Sequence, residues 1–97
     1  MSLADTIPPT APVLVSATDT IPGILLIWTH GTDIVGITNY EINRRLDGGA
    51  WGIVALIGYT TLYTDVTATA GFNEYRLRSK DAAGNFSGFS NIKSVTI

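Results

Sequence analysis

The chain has 97 residues, no cysteine and a formal net charge of −2, and 45% of its side chains are hydrophobic. That length supports one domain around a single core. The lack of cysteine excludes disulfide staples and thiolate chemistry, and the acidic balance argues against general nucleic-acid binding. No run approaches the roughly 18 apolar residues of a membrane span, so no membrane insertion is expected.

Residues 1–11 read as a leader and proline-rich linker, and 12–97 as the domain. Pro8, Pro9 and Pro12 fix φ and remove donors, which makes a stiff, extended entry. Val13 to Thr18 forms a first strand. Turn residues around Pro22 lead into a second, Gly23 to Thr29. After the polar loop 30–36, Ile37 to Arg45 alternates with Tyr40 and Ile42 on its apolar side. Asp47-Gly48-Gly49 supplies the positive φ of a primed hairpin turn, so Trp51 to Ile57 is the partner strand. Leu62 to Val66 is short. Asn73 to Asp81 alternates strictly, Tyr75, Leu77 and Ser79 against Glu74, Arg76, Arg78 and Lys80. It stops at Asp81-Ala82-Ala83-Gly84, where glycine suits a left-handed position. Ser90 to Ile97 is the last strand. Helical periodicity is absent, and seven short strands separated by turn residues predict an all-β, antiparallel sandwich or barrel.

Six stretches, in order, narrow this choice. They are Pro8-Pro9-Thr10-Ala11-Pro12, Trp28, Thr32-Asp33-x-x-Gly36-Ile37-x-x-Tyr40-Glu41-Ile42, Tyr63-Thr64-Asp65, Tyr75-Arg76-Leu77-Arg78 and Asp81-Ala82-Ala83-Gly84-Asn85-x-Ser87. Together they resemble a bacterial-type fibronectin type III domain from Pro8 to Ile97. The resemblance implies a seven-stranded immunoglobulin-like sandwich, strands A-B-E facing C′-C-F-G, with Trp28 as its central aromatic. It also implies a non-catalytic spacer or interaction module of a larger extracellular, cell-surface or virion protein. Such domains accompany polysaccharide-degrading enzymes and occur in phage tail proteins. One position departs from the pattern: Asn73 stands where the family places a tyrosine whose hydroxyl ties down the corner before strand F.

No catalytic constellation emerges. His30 is the only histidine, and nothing in the sequence sets a nucleophile beside it. The carboxylates are scattered over turns, where they satisfy backbone donors. Zinc ligands are missing, and Asp81 with Asn85 makes a better turn than a calcium site, so no metal or cofactor is expected. Arg76, Arg78 and Lys80, with Arg45 alongside, form a basic stripe interleaved with Glu41 and Glu74, which predicts cross-strand ion pairs. No aromatic platform joins that stripe in the sequence.

Two surfaces could bind something. If Ile24, Leu26 and Trp28 face inward, Leu25 and Ile27 face outward, and the same parity turns Leu14 and Leu62 out beside them. Four aliphatics would make a patch large enough to suggest contact with a neighbouring domain or a weak homodimer. Carbohydrate binding is the alternative function, and Trp51, at the start of its strand, is the candidate contact.

Overall fold

The computed structural model describes residues 7–97; the first part of the expected leader and linker, residues 1–6, lies outside them. The chain forms β1 (Val13–Asp19), β2 (Ile24–Thr29), β3 (Ile37–Leu46), β4 (Gly52–Ile57), β5 (Leu62–Asp65), β6 (Phe72–Asp81) and β7 (Lys93–Thr96). They make two antiparallel sheets, β1-β2-β5 and β4-β3-β6-β7. This is the expected A-B-E and C′-C-F-G arrangement.

The alternation read from the sequence selects the core. Ile24, Leu26 and Trp28 of β2 meet Tyr40 and Ile42 of β3 and Tyr75 and Leu77 of β6, all fully buried in one cluster. Trp28 and Tyr40 pack edge to face, with ring centroids 5.6 Å apart. Each fully buried apolar side chain in such a core contributes about 1.5–3 kcal/mol.

Leu14 also belongs to this core, being 1% exposed, which corrects the expectation that it faces outward. The β1–β2 register shifts between Leu14 and Ser16: Leu14 lies opposite Trp28, but Ser16 opposite Ile27. Val15 is the extra residue of a β-bulge. An inserted residue reverses the parity on one side of it, so Leu14 and Ala17 both point inward. Val13 and Val15 are exposed instead, at 56% and 51%.

The last strand begins at Lys93 rather than Ser90. Before it, the chain follows β6 through serine side chains. Ser79 N donates to Ser87 Oγ at 2.8 Å and Leu77 N to Ser90 Oγ at 3.0 Å. In return Ser87 N and Ser90 N donate to the carbonyls of Ser79 and Leu77. Asn91 then clasps β1 in the other sheet, accepting from Leu14 N and donating to Leu14 O, both at 2.9 Å.

The turns follow their residue types. Asp47 and Gly48 have φ of 51° and 71°, as a primed turn requires. Gly84 has φ 92°. Asn73, buried where the family has tyrosine, donates from Nδ2 to Thr69 O at 3.0 Å and Gly71 O at 3.2 Å. Its amide thus ties down the corner.

The entering segment is bound to the domain. Thr10 N donates to Thr32 O, Ser79 Oγ donates to Thr10 O, and Pro9 and Pro12 are buried. A Cβ on Gly31 would stand 2.1 Å from Thr10 O, so only glycine admits the segment there. The far end is held by the paired backbone bonds between Gly71 and Ile97. The Thr10 segment is thus held at Ser79, near one end of the ten-residue β6, and Ile97 at Gly71, just before the other end, roughly 26 Å away at the usual rise per residue. The described chain therefore enters at one end of the sandwich and leaves at the other.

Candidate functional site

Four groupings of side chains come together, only two of them foreseen. The first is the basic stripe on the outer face of β3 and β6. Arg45 Nε pairs with Glu74 at 2.8 Å, and Arg78 pairs with Glu41 at 3.1 Å, as cross-strand alternation predicted. Burial pushes the Glu41 carboxyl up, but the bonds from Arg78 and Asn43 outweigh it and hold the group below its ordinary range.

Contrary to the sequence reading, aromatics do join this stripe. Arg76 lies over Trp51 at 4.3 Å and Phe89 at 3.7 Å, and Arg78 over Phe86 at 3.9 Å. Trp51 comes from the β4 side of the sheet, while Phe86 and Phe89 come from the loop at the other edge of β6. The result is a ladder of cations and rings that pins the 82–92 loop onto the sheet. Trp51, the candidate carbohydrate contact, is half-buried and also carries Arg45 at 4.7 Å. Two guanidinium groups thus occupy the ring surface a sugar would use.

The second grouping is the outer face of β1-β2-β5. Ile27 pairs with Leu62 and Leu25 with Thr64. Ile27 and Leu62 are 39% and 56% exposed, and Leu25 is half-buried. Val13 and Val15, released outward by the bulge, take the place intended for Leu14.

The third is a buried polar centre that sequence reasoning missed. Asp65, completely buried, accepts from Thr67 N and Oγ1 at 2.9 and 2.6 Å, from Tyr75 Oη at 2.7 Å and from Arg44. Burial raises its carboxyl, but these bonds more than offset that and keep it ionised below the usual carboxylate range. Arg44 and Tyr75 reach it from the opposite sheet, so the carboxylate joins the two sheets, while Thr67 caps it locally.

The fourth surrounds His30. Its Nδ1 lies 2.7 Å from the buried Tyr40 hydroxyl, and its ring stacks on Tyr59 at 3.8 Å and an interplanar angle of 5°. Burial pushes the Tyr40 hydroxyl up to about 12, so at neutral pH it is an un-ionised hydrogen-bonding group. His30 is therefore an organised residue rather than a free loop side chain. Among the described residues its side-chain partners are two phenol rings, Tyr40 by hydrogen bond and Tyr59 by stacking, and neither is the serine, cysteine or threonine of a triad. Among the described residues no group of three His, Cys, Asp or Glu could hold a metal ion, and no helix is long and apolar enough to cross a membrane.

Beside Tyr59 opens a cleft of about 330 Å³, lined by Gly31, Thr32, Asp33, Gly36, Ile37 and Tyr59. A second, of about 370 Å³, lies against Pro8, Thr10 and Ile34 and shares Thr32 and Asp33 with the first.

Comparison with known proteins places this geometry. No family model matches the chain. It is 37% identical over 92 residues to Chitinase A1 of Niallia circulans, covering 94% of this chain and 12% of that protein. To Exoglucanase B of Cellulomonas fimi it is 31% identical over 96 residues, covering 96% of this chain and 8% of that protein. The chain thus spans about a tenth of the length of these relatives. Among solved structures, a β-1,2-glucanase from Parabacteroides distasonis superposes with a TM-score of 0.78 at 29% identity, over 98% of this chain and 13% of that one. A Fn3-like protein from Clostridium thermocellum superposes with a TM-score of 0.67 at 23% identity, over 89% and 86% of the two chains. The chain is a fibronectin type III-like domain, of the kind found within larger polysaccharide-degrading enzymes.

Proposed function

We propose that this domain is a non-catalytic spacer in a larger polysaccharide-degrading protein that works outside the cell. The observation that carries this reading is the opposed placement of the chain's ends, the Thr10 segment fastened at one end of the sandwich and Ile97 at the other. A domain entered and left at opposite ends sets a fixed separation, which a flexible linker of equal length would not. The aliphatic face of Leu25, Ile27 and Leu62 gives a neighbouring domain a surface on which to rest, fixing orientation as well as distance.

The test is made in the parent enzyme, with this domain replaced by a Gly/Ser linker of the same number of residues. Turnover of a soluble substrate should be unchanged, turnover of the insoluble polymer should fall, and scattering should show a broader spread of interdomain distances. Loss of activity on the soluble substrate would refute the reading, because it would place the domain in the chemistry.

A further inference from the structure

We propose that the Tyr59–His30 platform and the cleft beside it bind a pyranose unit of a neutral polysaccharide. The proposal goes beyond the spacer role and holds whether or not that role does. It moves the sugar contact away from Trp51, whose ring lies under two guanidinium groups.

The platform is built from the core outward. Trp28 packs edge to face on Tyr40, the Tyr40 hydroxyl holds His30 Nδ1 at 2.7 Å, and His30 lies flat under Tyr59. Tyr59 is an exposed loop residue, 59% accessible, yet one face of its ring is fixed by this stack. Its outer face is a flat apolar surface that costs little ordering when a ligand lands on it. Such a face suits the C–H side of a sugar ring.

The cleft selects the chemistry. It is lined by no lysine or arginine, so nothing there would compensate a phosphate, sulfate or uronate. Asp33 instead supplies acceptors. Its Oδ2 takes the amides of Val35 and Gly36 at 3.1 and 3.0 Å, which holds the carboxylate in place, and among the described residues Oδ1 accepts no such bond. An aromatic face with a fixed carboxylate and a threonine hydroxyl beside it matches a ring with apolar C–H bonds and donor hydroxyls. Gly36 keeps the cleft open, since a Cβ there would meet nothing within 4 Å and its φ of 112° disfavours any side chain. The second cleft adjoins at Thr32 and Asp33, giving room for a further sugar unit, so an oligosaccharide should bind more tightly than a monosaccharide. The relatives that share this domain act, by name, on chitin and glucans, polymers of neutral pyranoses.

The 97-residue chain would be titrated with chitohexaose, cellohexaose and maltohexaose while its amide NMR spectrum is followed. At least one should shift the amides of Gly31, Gly36 and Tyr59 with a Kd of about 1 mM. Tyr59→Ala should abolish the shifts, Tyr59→Phe should keep them, and Asp33→Asn should weaken binding. Trp51→Ala should leave it unchanged. No shift with any of the three sugars at about 10 mM would overturn the proposal. So would shifts that survive in Tyr59→Ala or centre on Trp51, and so would equal shifts with an oligogalacturonate. Should Tyr59→Ala lose its dispersed spectrum, the Asp33→Asn titration decides. Because the readout uses the isolated domain, its failure leaves the spacer reading intact.

Discussion

The Tyr75 hydroxyl donates to Asp65 Oδ2 at 2.7 Å, and this bond joins β6 of one sheet to the end of β5 in the other. Arg44 and Thr67 complete the carboxylate's shell. Asp65→Asn removes the charge and replaces one of the two acceptor oxygens with an NH2 donor, so part of the Arg44, Tyr75 and Thr67 shell loses its acceptor, which should cost about 3 kcal/mol in urea denaturation. The folded carboxyl titrates below its ordinary value. Its stabilisation is therefore complete above the unfolded pKa of about 4 and is lost as pH falls through the lower folded value. Denaturation curves should show wild type weakening more than Asp65→Asn between neutral pH and about pH 3.

Leu77 sits in the middle of the core cluster, 1% exposed. Leu77→Ala should cost about 2–5 kcal/mol, the range for emptying a buried aliphatic site. Chemical denaturation measures it, and a loss under about 1 kcal/mol would contradict the packing.

Gly84 and Gly88 make a controlled pair in one loop. An added Cβ would meet nothing within 4 Å at either, but only Gly84 has positive φ, 92°. Gly84→Ala should destabilise by about 1 kcal/mol through backbone strain alone. Gly88→Ala should be neutral or slightly stabilising, because it restricts only the unfolded chain. The test is whether the unfolding midpoint falls in Gly84→Ala and does not fall in Gly88→Ala.

Ile27 and Leu62 lie paired and exposed on the outer face of β2 and β5. Exposed apolar area is unfavourable by roughly 25 cal/mol per Å², and a second copy related by a twofold axis would cover it. Weak self-association should appear in sedimentation at high concentration. It should vanish in a Leu25→Lys/Ile27→Lys variant that keeps the wild-type unfolding midpoint. A wild type that stays monomeric across the series would show that the face does not pair.

Much of the fold was legible because β-structure writes itself in period two. Tyr75, Leu77 and Ser79 could point only one way once Arg76 and Arg78 claimed the solvent, and Asp47-Gly48 could make only a primed turn. The ion pairs of Arg45 and Arg78 follow from the same alternation. Leu14 was misread because a bulge adds one residue without changing the local composition, and parity reverses on one side of it. Trp51 was legible as an aromatic at a strand start but not as a ring under two arginines.

By itself, the sequence determined the order of the strands, the inward rows of β2, β3 and β6 and the turns, because these depend on neighbours a few residues apart. Only the tertiary structure decided what meets what across long separations. Asp65 finds Arg44 and Tyr75 in the opposite sheet, Asn91 clasps Leu14 from 77 residues away, and His30 lies under Tyr59 while holding Tyr40. Such contacts leave no periodic trace, since each joins residues that lie far apart in the chain. They exist because closing the sandwich brings distant strands and loops together and leaves their buried polar groups one another to satisfy.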